Sequence, residues 1–102
     1  MHTVKVHVFK ESNLRTGGRG VPPRPHEPNN VMFRIQPGTY EAYYQCAGPQ
    51  AQEGDDRNFW WVLIKVAQEV GWVSAICIST GGNDLPIPDV PTRAVEYVAD
   101  LT

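Results

Sequence analysis

A small all-β barrel is the fold the sequence predicts, and three observations predict it. The stretch NFWWVLIKVAQEVGWVSAICIS, Asn58 to Ser79, holds all three tryptophans and most of the apolar side-chain volume. Its halves are runs of aromatic and β-branched residues separated by a short polar reversal, which is the pattern of a hairpin. Upstream, TVKVHVF, VMFRI and TYEAYYQC alternate apolar and polar residues with the period of two that half-buried strands require.

In chain order, the first strand sets Val4, Val6 and Val8 against Lys5 and His7, giving one core face and one wet face. Glu11, Ser12 and Asn13 break the pattern, and Leu14 is expected as a single apolar anchor beneath the barrel. RTGGRGVPPRPHEPNN, residues 15–30, has no periodic apolar face and reads as one long loop. Its glycines permit positive φ, whereas Pro22, Pro23, Pro25 and Pro28 hold the chain extended. VMFRI should turn Val31, Phe33 and Ile35 inward, and Pro37 and Gly38 reverse it. In TYEAYYQC, Tyr40, Ala42, Tyr44 and Cys46 oppose Glu41, Tyr43 and Gln45, which leaves Tyr43 toward solvent or a ligand. AGPQAQEGDDRN reads as a solvated acidic loop, since its carboxylates match no EF-hand spacing.

FWWVLIKV places Trp60, Val62, Ile64 and Val66 on one face and Phe59, Trp61, Leu63 and Lys65 on the other. A strand apolar on both faces is covered twice, or one face is a binding surface. Beyond Ser79, TGGNDLPIPDVP is Pro-rich and extended, and Thr92 is placed to cap a short helix through Leu101. The division is therefore a barrel over residues 1–79 and an extended arm over 80–102.

Four short motifs carry a resemblance. NLRTG at Asn13 to Gly17, Pro37-Gly38-Thr39, the Trp60–Trp61 pair and Gly71-Trp72-Val73-Ser74 occur in an order similar to that of the bacterial Src-homology-3-like (SH3-like) family. The resemblance implies an SH3-like barrel of five to six strands serving as a cell-wall-targeting or protein-interaction module. The long Pro-rich loop after Gly17 and the excursion after Ala47 depart from the family pattern.

A chain of 102 residues is one small domain, and its formal charge of −2 announces no partner. The charge is polarised, however. Residues 1–35 carry six Lys/Arg against two Asp/Glu, and residues 36–102 carry three against nine. No N-terminal apolar segment is present, and no run approaches the roughly 20 residues that span a bilayer, so a cytoplasmic or virion location is expected. Cys46 and Cys77 fall in strand stretches and read as buried thiols.

Residues for catalysis are sparse. His2, His7 and His26 are dispersed, no nucleophile stands beside a base, and neither metal nor cofactor is expected. Binding is the better reading, with Tyr43, Trp61 and Trp72 as a groove and Arg15, Arg19 and Arg24 as donors to phosphate or carboxylate. The negative net charge argues against nucleic acid. Leu85, Ile87 and Val90 are expected to dock the arm on a protein partner or a second copy, making the chain an assembly subunit. The alternative is a module that binds cell-wall polymer or peptide in the aromatic groove.

Overall fold

A computed structural model describes residues 3–17, 22–25 and 27–94. Its strands are β1 (Val4–Val8), β2 (Ser12–Arg15), β3 (Val31–Ile35), β4 (Gly38–Glu53), β5 (Asp56–Val66), β6 (Glu69–Ser74) and β7 (Thr92–Arg93). They form one sheet in the order β1-β4-β5-β6-β2-β3, antiparallel throughout, with β7 lying parallel on β4 beside Gln45 and Cys46. The all-β expectation holds, but the sheet is open rather than closed. β2 meets β6 through the single pair Arg15–Trp72, and β3 lies beyond it at the end of the sheet. At the other end, an isolated bridge between Val8 and Ile78 brings the chain after β6 back against β1. The Phe9 N–H donates to the Cys77 carbonyl and the Ser79 N–H to the His7 carbonyl, each at 3.0 Å.

β5 is the strand on which both cores are built. Val62 and Ile64 enter the larger core with Val6, Val8, Leu14, Ile35 and Val73, while Trp61 enters a second core with Cys46, Ala51 and Trp72. This is the two-faced strand the alternation predicts. β4 does not keep one parity. Ala42 pairs with Ile64 and Tyr44 with Leu63, so Tyr43 is the extra residue of a bulge. A one-residue insertion exchanges faces. Ala42 therefore belongs to the larger core, Tyr44 and Cys46 to the second, and Gln45, expected outside, is fully buried.

Three further expectations are corrected. The acidic stretch after Ala47 is not a loop: β4 continues to Glu53 and β5 starts at Asp56, with Gly54 at φ +61° in the turn. Residues 52–57 at its tip are all exposed and carry no apolar alternation to reveal it. Phe33 is 38% exposed, because at the end of the sheet nothing covers its face, whereas Met32 packs against the larger core. The second half of the central hairpin ends at Ser74, whose hydroxyl accepts from the Ile76 N–H and starts a 3-10 turn over Ala75–Cys77. Gly71 permits β2 to lie close on β6, since a Cβ there would fall 2.7 Å from Leu14 Cγ.

The arm is part of the packed body. Ile87 and Val90 are 3% and 5% exposed and belong to the larger core, so they are not a docking surface. Leu85 is 59% exposed. The reason is a buried side chain that periodicity placed outside. Gln45 Nε2 donates to the Ile87 and Val90 carbonyls at 2.8 and 3.0 Å, its Oε1 accepts from the Ile87 N–H at 2.8 Å, and its own N–H reaches the Pro91 carbonyl. Asn58 acts likewise upstream, donating to the carbonyls of Gly82 and Leu85. Thr92 and Arg93 consequently extend along β4 instead of opening a helix, and the rest of that expected helix, from residue 95, lies outside the described residues.

Replacing Gln45 with Leu strands three buried backbone groups of the arm and is expected to cost about 2–4 kcal/mol, read as a lower urea midpoint. Truncation after Ser79 removes Ile87 and Val90 from the core, each worth about 1.5–3 kcal/mol, so the shortened chain should lose the cooperative melt of the full one.

Candidate functional site

The site is formed where two hairpins stand apart. β2 and β3 pair with each other from Ser12–Ile35 to Leu14–Phe33, which sets Glu11, Ser12, Asn13 and Arg34 along one wall. The projecting end of the β4–β5 hairpin supplies Ala51, Gln52 and Glu53 as the other wall. Between them lies a cleft of about 280 Å³ whose floor is Trp61, Ser74, Ile76 and Cys77, with Arg15 and Pro25 at its side. The 3-10 turn brings Ile76 and Cys77 into this floor.

Charges on the rim are paired. Arg34 Nε lies 2.7 Å from Glu11 along one wall, and Lys10 Nζ lies 3.0 Å from Glu53, linking the walls. Both pairs are partly exposed and contribute little to stability. They supply polar groups of both signs around an interior that is partly aromatic and aliphatic.

Trp61 is 1% exposed, so it is a floor beneath the site and not an open platform. Its indole Nε1 donates to the Pro49 carbonyl at 2.8 Å, and it lies beside Gly48, where Pro22 packs in from the Pro-rich segment. Pro22 and Pro23 are buried. The Pro-rich stretch therefore covers the second core, and its stiffness makes it a cheap cover because little backbone freedom is lost on docking. Trp72, expected in the groove, is 4% exposed and packs edge-on against Tyr44 at 5.9 Å. Tyr43 sits half-buried at the β4 bulge and does not line the cleft. Arg93 stacks over Tyr44 at 4.4 Å, a contact no sequence pattern indicated.

The arginines separate in the same way. Arg24 is exposed beside Glu27 at 3.8 Å, and Arg19 lies outside the described residues. Arg15 is brought to the cleft and is 9% exposed. Its Nη1 donates to the Glu27 carbonyl at 2.9 Å and to Asn30 Oδ1 at 2.6 Å, fastening the loop that returns to β3. Burial lowers its affinity for a proton, yet a guanidinium remains charged at neutral pH.

The chain matches no family model, curated protein or solved structure. Its chemistry is therefore read from the site. Cys77 is the nucleophile nearest the cleft, and burial pushes its thiol up while a hydrogen bond with Ser12 works weakly the other way. At neutral pH it is a thiol, not a thiolate. Among the described residues no three His, Cys, Asp or Glu side chains gather as metal ligands, and no helix is long and apolar enough to cross a membrane. His7 lies on the exposed face of β1, away from the cleft lining.

Gly48→Ala would set a Cβ 2.7 Å from Pro22 Cβ and 3.0 Å from Trp61 Cδ1. Lifting the Pro-rich cover should cost about 1–3 kcal/mol and move tryptophan emission to the red. For Cys77 the folded thiol is raised above its unfolded value, so its contribution is full below the ordinary thiol pKa of about 8.5 and is lost as pH climbs toward the folded value. Urea midpoints taken from pH 7 upward should fall over that window, and Cys77→Ala should flatten part of the fall.

Proposed function

We propose that the protein is a non-catalytic binding module of SH3-like character whose cleft receives an extended peptide-like segment, free or carried on a cell-wall polymer. The observation that carries this reading is the two-walled cleft between the β2–β3 hairpin and the β4–β5 tip. A segment laid between these walls meets an aromatic and aliphatic floor, with paired side chains of both signs on the rim for its backbone and polar groups. The SH3-like reading draws support from the β4–β5–β6 meander and from the return of Ile78 against β1. A neutral, buried Cys77 with no imidazole among the described residues that line the cleft favours binding over catalysis.

An assembly role through the arm is the weaker reading. With Ile87 and Val90 in the core, Leu85 is what remains of the expected docking surface.

Two-dimensional NMR of the full chain, titrated with a degenerate hexapeptide pool and separately with muramidase-released cell-wall fragments, tests the proposal. Shifts should concentrate on the Trp61 indole, Arg34, Gln52 and Glu53. Arg34→Ala and Glu53→Ala should each weaken binding about two- to fivefold without moving the melting temperature, as rim charges do. Absence of any cleft shift with both probes would overturn the reading.

A further inference from the structure

One of the residues lining the cleft is a buried cation. Arg15 is nine-tenths buried, yet among the described residues no carboxylate lies within ion-pair distance of it. Every other ion pair of the described chain is at a partly exposed position, where water would serve either partner alone. A buried cation without a counter-ion is costly and is ordinarily paired. Glu27 acts on Arg15 only from beyond contact distance, and the Cys77 thiol, held neutral by burial, adds no charge.

The hydrogen bonds of Arg15 to described residues both run from Nη1, to the Glu27 carbonyl and Asn30 Oδ1, and these fix the plane of the group. No buried side-chain nitrogen or oxygen among the described residues lacks a partner. No hydrogen bond to a described residue runs from Nε–H or Nη2, and Arg15 lines the cleft. Nε–H and Nη2–H lie side by side in a guanidinium and match the two oxygens of a carboxylate.

From this geometry we infer that Arg15 is the anchor of the cleft and takes a carboxylate of the bound segment, either its terminal carboxyl or an acidic side chain, in a two-point hydrogen bond. The inference rests on the peptide reading of the cleft and names the group that reading must place. A carboxylate is the anion that an extended peptide-like segment itself carries, and its two oxygens match the planar fork of a guanidinium. Ser74, which also lines the cleft, accepts from the Ile76 N–H and has a hydroxyl proton of its own to offer, whereas Ser12 donates its proton to the Lys10 carbonyl.

The test uses the full chain and three small probes: N-acetylglycine, its neutral analogue N-acetylglycinamide, and inorganic phosphate, at constant ionic strength. N-acetylglycine should shift the Arg15 side-chain Nε–H and the neighbouring cleft amides, and should bind at least about tenfold more tightly than the amide. Arg15→Lys retains the charge but loses the planar fork, so this preference should fall by about tenfold. A melting curve establishes that the variant is folded, and if it is not, the acid-against-amide comparison on the native chain decides. Equal binding of acid and amide in the cleft overturns the carboxylate assignment while leaving the peptide reading to its own titration. Tighter binding of phosphate than of N-acetylglycine overturns it in favour of a phosphoryl ligand. Shifts confined to exposed Arg24 and Arg34 overturn it as well.

Discussion

β5 is apolar on both faces, and a chain of 102 residues must therefore cover one sheet twice. That constraint explains the parts of the molecule that look irregular. A second layer of strands would require more chain, so both covers are made from extended proline-rich segments. One is the arm with Ile87 and Val90, and the other is the stretch containing Pro22 and Pro23. Extended chain cannot satisfy its own backbone polar groups, and the sheet has to satisfy them for it. Gln45 does this for the arm from the middle of β4, and Arg15 does it for the loop from the end of β2.

The cleft is a consequence of the same arrangement. The proline-rich cover reaches Gly48 beside Trp61, Pro25 lines the cleft, and the end of the β4–β5 hairpin stands opposite β2 and β3. The gap has rigid walls, because both are hydrogen-bonded ladders, and a floor continuous with the second core. Arg15 joins the two roles. It is buried where its Nη1 secures the loop, and the same residue lines the cleft.

Much of the core was legible. Alternation put Val6, Val8, Val62 and Ile64 inside, and the mixed aromatic and β-branched run marked β5 as covered on both faces. The site was less legible, and the reasons are local. Tyr43 and Gln45 were misplaced because a one-residue bulge shifts every later side chain on β4, and no residue type announces it. Trp61 and Trp72 were read as a groove, but a large aromatic on a strand face does not reveal whether a distant proline segment folds over it. Ile87 and Val90 looked like docking residues for the same reason: an extended apolar arm has the same composition whether it packs on its own sheet or on a neighbour.

What the sequence determined by itself is the all-β class, the alternation of β1 and of the central hairpin, the two-faced character of β5 and the scarcity of catalytic residue types, since each follows from residue type and spacing along the chain. What only the tertiary structure decided is the open sheet, the absorption of the arm and the burial of Arg15 beside the cleft. Those depend on which distant segments satisfy one another's buried polar groups, and Gln45 reaching Ile87 across 42 residues of chain is a pairing no local pattern encodes.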